Sequence, residues 1–262
     1  MTEARSAAGA GRDGVDTGYA GRRRPLPVDL LKTLGVIVWT VSMICLATVV
    51  RLLSGHHRRA LAMARSPWAD NILRLTGFTV ECEGAEAVDW SRPYFIAANH
   101  QSFLDIPVLF HLVPSNLYFV VKQELAKIPF LAGYIRSMGM IFVDRSNPDA
   151  ARRSIRDAAA AAAAGKTILL FPEGTRSRDG RLLPLKTGML AAALESGVPV
   201  LPVILDGTGE GMAPGWIPRY RPRRLRARFG APIETVGLGP GQRRELGEEV
   251  RRALIDLQGR LS

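Results

Sequence analysis

The heptapeptide Asn99-His100-Gln101-Ser102-Phe103-Leu104-Asp105 sets an imidazole and a carboxylate five positions apart. The apolar run Tyr94-Phe95-Ile96-Ala97-Ala98 before it reads as a short buried strand. Phe103 through Leu112 reads as the start of a helix, with Ser102 as its cap. His100 therefore sits where a strand ends, and Asp105 about one turn into the next element. That spacing can bring the carboxylate to one ring nitrogen and leave the other free. An imidazole held in this way has a fixed tautomer and raised basicity, which suits a general base acting on a hydroxyl. A core histidine hydrogen-bonded to a nearby acid has the same appearance in a sequence, so this pair alone does not decide.

Cations supply the second signal. Asp144-Arg145 follows one candidate strand, and Pro172-Glu173-Gly174-Thr175-Arg176-Ser177 follows another. Lys122 ends a third strand, and Lys186 follows the Pro172 loop. The carboxyl ends of parallel strands are where α/β folds place ligands. Arginine matches a phosphate with a planar fork, and lysine adds a point charge. A single such cation is most often a solvated surface charge. Their shared placement at strand ends points to a phosphate-bearing substrate.

The elements that must position these groups follow a βα rhythm. Candidate strands are Thr79–Glu83, Tyr94–Ala98, Leu117–Lys122, Met140–Val143, Thr167–Phe171, Val200–Leu205 and Leu225–Phe229. Helices are expected over Phe130–Met138, from Asn147-Pro148 through the alanine run to Gly165, around Leu190–Leu194, and over Arg243–Leu261. Uninterrupted apolar strands such as Thr167–Phe171 fit burial on both faces. The alternation predicts an α/β fold with a largely parallel central sheet flanked by helices.

The N-terminal third differs in character. Residues 1–25 are rich in Gly, Ala and Arg without apolar periodicity and read as a disordered basic tail. Thr33 to Val50 is an uncharged run of 18 residues, about 27 Å as a helix and near the lower limit for crossing a bilayer core. A cleaved signal peptide fits less well, because a long tail precedes the run and no small-residue cleavage site clearly follows it. Basic residues flank both ends, so orientation does not follow from charge asymmetry. A membrane-embedded hairpin explains this, with Ala60 to Leu75 as the second arm and Leu61, Met63, Ala64, Trp68, Ile72 and Leu75 on its apolar stripe. The expected organisation is a tail over 1–25, an anchoring helical segment over 26–78 and a catalytic domain over 79–262.

Across its 262 residues the chain carries 35 Lys+Arg against 24 Asp+Glu, a formal net charge of +11. Such an excess points to a polyanionic partner: nucleic acid, an anionic membrane surface or a phosphorylated substrate. Aromatic residues make up only 7%, and no RNA-recognition or zinc-finger spacing is present, which argues against nucleic acid. Arg219, Arg221, Arg223 and Arg224 are candidates for a face that docks on anionic lipid. Cys45 lies in the apolar run and Cys82 near a strand, so no disulfide is expected. No metal-ligand cluster is evident, and His56-His57 in a basic run reads as an interfacial charge patch.

Taken together, these motifs resemble those of the phospholipid/glycerol acyltransferases, whose best-known members are 1-acyl-glycerol-phosphate acyltransferases. The first is Asn99 to Asp105, the second Gly139-Met140-Ile141-Phe142-Val143-Asp144-Arg145, the third Phe171 to Ser177, and the fourth Val198-Pro199-Val200-Leu201-Pro202-Val203. Lys186-Thr187-Gly188 and Lys122-Gln123-Glu124-Leu125 also match. The resemblance covers about Thr79 to Pro232. It implies a fatty acyl transfer from an acyl thioester of coenzyme A or acyl carrier protein to the free hydroxyl of lysophosphatidic acid, with His100 as base and Asp105 as its holder. It further implies glycerophosphate binding by Arg145, Glu173, Gly174, Thr175 and Arg176, with Lys122 and Lys186 as additional phosphate contacts. No cofactor beyond the thioester is implied. The expected location is the cytoplasmic membrane, with the catalytic domain on the cytoplasmic side where acyl thioesters are available. An acyltransferase for another lysolipid, such as a lyso-ornithine lipid, has the same sequence features. A thioester hydrolase would leave the cations unexplained and lacks a Gly-x-Ser-x-Gly elbow. A non-catalytic anionic-lipid binder would leave His100 and Asp105 without a task.

Overall fold

A computed structural model describes residues 26–143, 147–213 and 217–260. The expected basic tail and Arg145 lie outside the described residues, as does the side chain of Lys122.

The chain opens with helix α1, Pro27–Ser54, whose Pro27 occupies the first turn. Gly55 ends it in the left-handed region at φ 69°. The expected second arm follows as α2 (His57–Met63), a wide π-helical turn (Ala64–Ala69) and α3 (Asp70–Thr76). Pro67 lies inside that turn, where a missing N–H breaks the regular ladder. The arm is thus bent rather than straight. Leu61, Ala69 and Leu73 pack into the same apolar core as Ile96 and Leu109, so this arm turns much of its apolar stripe to the α/β body. Helix α1 does the opposite. Only 11% of its most apolar stretch is buried, and Leu31, Leu34, Val38, Val41, Leu52 and Leu53 are exposed.

After Gly77 the chain alternates as expected. The elements are β1 (Thr79–Glu83), β2 (Phe95–Ala98), α4 (Asp105–Leu112), β3 (Leu117–Lys122), α5 (Pro129–Ser137) and β4 (Ile141–Val143). They continue as α6 (Pro148–Ala163), β5 (Thr167–Leu170), α7 (Leu190–Ser196), β6 (Val200–Asp206), α8 (Thr208–Gly211), the two-residue strands β7 (Met212–Ala213) and β8 (Arg219–Tyr220), β9 (Arg224–Phe229) and α9 (Arg243–Gly259). Asn147 caps α6 as its sequence predicts, accepting the N–H groups of Asp149 and Ala150.

The seven-stranded sheet has the order β1-β9-β6-β2-β5-β3-β4. Its pairs are parallel except β6 with β9, which run antiparallel. The fold is therefore α/β with a largely parallel sheet. β2 lies between β5 and β6, so the loops after these three strands share one end of the sheet. β2 and β5 are buried at every position.

The alternating arginines of β9 have a structural role. Arg224 pairs with Glu81, Arg228 with Glu83 and Arg226 with Asp206. Arg223 pairs with Glu210. Arg223 and Arg224, candidates for a face that docks on anionic lipid, thus also pair with carboxylates that their own sequence neighbourhood does not reveal.

Candidate active site

The strand β2 ends at Ala98, and the chain turns sharply to deliver His100. Asn99 secures the turn: its buried amide exchanges two hydrogen bonds with the main chain of Leu205 on β6. Gln101 adds weaker contacts to the Leu205 carbonyl and the Gly209 N–H. Helix α4 begins at Asp105, two residues later than its sequence suggests. Residues 102–104 form a turn, in which the Ser102 hydroxyl accepts the Leu104 N–H at 3.0 Å.

Asp105 is fully buried. Its Oδ2 stands 2.6 Å from His100 Nδ1 and also accepts the N–H groups of Gln101 at 2.7 Å and Ser102 at 2.9 Å. These donors hold the carboxyl of Asp105 in place at the first turn of α4. A charged acceptor at Nδ1 places the ring proton there and leaves Nε2 unprotonated. Nε2 has no hydrogen-bond partner among the described residues. The ring stacks on Phe171 at the end of β5, with centroids 4.1 Å apart and planes 19° apart. Sequence reasoning gave Phe171 no part beyond the motif, yet its place beside Pro172-Glu173 was the available signal.

The loop after β5 closes the other side. Glu173 is 2% exposed. Its Oε1 accepts the His100 N–H at 2.7 Å, and its Oε2 accepts the Leu183 N–H at 2.8 Å. Burial pushes the Glu173 carboxyl above the usual carboxylate range, opposed by those two N–H donors. Ser177 N–H donates to the His100 carbonyl at 2.8 Å. Gly174 turns the chain at φ 71°, a conformation that a Cβ disfavours.

Thr175, Arg176 and Lys186 are exposed around this loop. Arg176 lays its guanidinium over the Phe103 ring, 4.3 Å from the centroid, and no described carboxylate pairs with it. The structure thus gathers His100, Asp105, Glu173, Gly174, Thr175 and Arg176 at one end of the sheet. Lys186 is tied to the same loop through its N–H to the Pro172 carbonyl. Together they offer a base whose Nε2 has no partner among the described residues and, at the same end of the sheet, a guanidinium that no described carboxylate pairs with, an arrangement suited to deprotonating a hydroxyl on an anionic molecule.

Residues 79–206 match the family model described as Acyltransferase. The chain is 36% identical over 165 residues to the 1-acyl-sn-glycerol-3-phosphate acyltransferase of Limnanthes alba, covering 63% of this chain and 58% of that protein. It is 29% identical over 186 residues to the alpha enzyme of that name from Mus musculus, covering 70% and 65%. The chain thus spans less than two thirds of the length of these relatives. The crystal structure of the 1-acyl-sn-glycerophosphate (LPA) acyltransferase PlsC from Thermotoga maritima superposes with a TM-score of 0.71 at 29% identity, over 88% of this chain and 96% of that one. In its motifs, its fold and these relatives, the chain is similar to the phospholipid/glycerol acyltransferases.

Proposed function

We propose that this protein transfers a fatty acyl group from an acyl thioester to the free hydroxyl of lysophosphatidic acid, giving phosphatidic acid. The observation that carries this reading is the hydrogen bond between His100 Nδ1 and buried Asp105, which leaves Nε2 as the acceptor for a proton. In the reaction the acceptor O–H loses its proton to Nε2 as its oxygen attacks the thioester carbonyl. The C–S bond then breaks, and the thiolate takes the proton from Nε2. Asp105 stabilises the imidazolium in between. Such a base contributes roughly 10²–10⁴-fold in rate. The thioester is already activated, so neither an acyl-enzyme nor a further cofactor is needed.

Arg176, Gly174, Thr175 and Lys186 are our candidates for the acceptor phosphate, with Arg145 and Lys122 added on motif position. The donor is acyl-coenzyme A or acyl carrier protein, both available in the cytoplasm. Helix α1 would embed its exposed apolar face in the membrane. It is tied along its length to the body by Lys32 to the Thr76 carbonyl, Trp39 to the Trp68 carbonyl, and Trp68 to the Thr40 hydroxyl. A helix held alongside the body in this way cannot cross a bilayer alone, which favours insertion into one leaflet. The test is to give the purified protein a panel of lysolipids with labelled acyl-coenzyme A or acyl carrier protein and identify the product by mass. Labelled phosphatidic acid is expected. Acylation of a lyso-ornithine lipid instead would reassign the acceptor, and release of free fatty acid alone would sink the transfer reading.

A further inference from the structure

Glu173 lies within a motif associated with glycerophosphate binding, yet its surroundings are those of a main-chain clamp. Both carboxylate oxygens are occupied by N–H donors, one from His100 and one from Leu183, and the side chain is 2% exposed. A buried carboxylate with both oxygens engaged has no donor to offer a phosphate and would repel its charge. The Leu183 carbonyl in turn accepts from Nη1 of Arg251 at 3.0 Å. Arg251 stands on α9, beyond the 79–206 stretch that the family model matches. A second donor from α9, Gln258 Nε2, holds the carbonyl of Gly180 in the same loop.

We propose that Glu173 is a positioning residue. It fixes the main chain of His100 against the loop after β5, Arg251 backs that loop through Leu183, and the acceptor phosphate is left to the exposed cations. The ring of His100 is then located from three directions: Asp105 at Nδ1, Phe171 on its face, and Glu173 with Ser177 on its main chain. Positioning matters here because displacement of a reacting group by about 1 Å can cost 10²-fold in rate. The inference rests on the acyltransferase reading.

The test compares full-length wild type, Glu173→Gln and Arg251→Met in one detergent. It measures kcat and KM for lysophosphatidic acid at saturating acyl-coenzyme A. The glutamine keeps the shape but turns an NH₂ group toward one of the two N–H donors. We expect kcat to fall about 10–100-fold with KM for the acceptor within about twofold. Arg251→Met should lower kcat in the same direction by less. A tenfold rise in acceptor KM at unchanged kcat would overturn the proposal and make Glu173 a phosphate-site residue. Should Glu173→Gln fail to fold, Arg251→Met carries the test: lower kcat at unchanged KM supports the clamp, and wild-type kinetics overturn it. A wild type inactive towards every lysolipid would instead remove the acyltransferase reading, and this inference with it.

Discussion

Asn99 and Leu205 exchange two hydrogen bonds, Asn99 Nδ2 donating to the Leu205 carbonyl at 2.9 Å and Leu205 N–H donating to Asn99 Oδ1 at 2.7 Å. The β2–β6 register ends at Ala98 against Val203. The amide of Asn99 therefore continues the ladder with a side chain, while its main chain turns away to deliver His100. Asn99→Ala would leave the buried Leu205 N–H without its partner and its carbonyl with only the weaker Gln101 contact, at a cost of about 1–3 kcal/mol. Denaturant titration of the purified variant should show a lower midpoint and severely reduced turnover. A midpoint equal to wild type would remove this role.

The dyad makes a sharper forecast. His100→Ala should abolish acyl transfer while leaving the circular dichroism spectrum and membrane association intact. Asp105→Asn should cut kcat by about 10²–10⁴-fold, since an amide can donate to Nδ1 and favour the wrong tautomer. If His100→Ala retained more than a few per cent of wild-type turnover, the base would have to be another group.

Much of this site follows from residue order alone, and the reasons are local. Strand ends and helix caps obey short-range rules, so the β2 and β5 loops and the Asn147 cap were predictable. What escaped depends on neighbours distant in the chain. Leu205 is 106 positions from Asn99, and Leu183 meets Arg251 across 68 positions. Glu173 illustrates the limit: its type and motif suggest a ligand contact, while its burial is set by how two loops close on each other. The expected apolar stripe on the second arm was present, but Pro67 and packing against α4 decided that it faces inward.

Arg176 is an exposed cation of the loop after β5, held over Phe103. Arg176→Ala should weaken use of a phosphate-bearing acceptor by about 1.5–3 kcal/mol, the range for charge-assisted hydrogen bonds. Phe103→Leu should reproduce part of that loss, because a cation–π contact at an exposed site contributes only about 0.5–1 kcal/mol. The measurement is KM for lysophosphatidic acid at saturating donor. A rise confined to the KM of acyl-coenzyme A would reassign Arg176 to the donor phosphates.

His57 makes stability depend on pH. Its Nε2 lies 3.1 Å from the Tyr118 hydroxyl, joining the start of α2 to β3. Burial first, and then the charges of Lys166, Arg51, Arg58 and His56, hold its imidazole below the ordinary value of 6.5. The unfolded chain therefore takes up this proton before the folded one does. Stability from this group is present above about pH 6.5, is lost as pH falls below that value, and levels off beneath the folded-state value. The melting temperature of wild type should drop more between pH 7 and pH 5 than that of His57→Gln. Equal drops would show that His57 does not titrate differently on folding.

The exposed face of α1 gives the last forecast. Asp29, only 2% exposed, anchors the first turn by accepting the N–H groups of Leu26 and Tyr220, while Ala47 packs against the body near the other end. Leu31, Leu34, Val38 and Val41 remain exposed between these attachments. Burying that face in lipid yields roughly 25 cal/mol per Å² of apolar surface, a term that salt does not screen. High salt or carbonate should therefore leave the full-length protein in the membrane fraction. Removing residues 1–78 would not isolate this effect, because Leu61, Ala69 and Leu73 would be lost from the core. The cleaner variant replaces Leu31, Val38 and Val41 with Lys. It should fold, retain acyl transfer to a detergent-dispersed acceptor, and become extractable by salt. Complete release of wild type by salt alone would defeat the anchoring picture and leave a protein held at the surface only by charge.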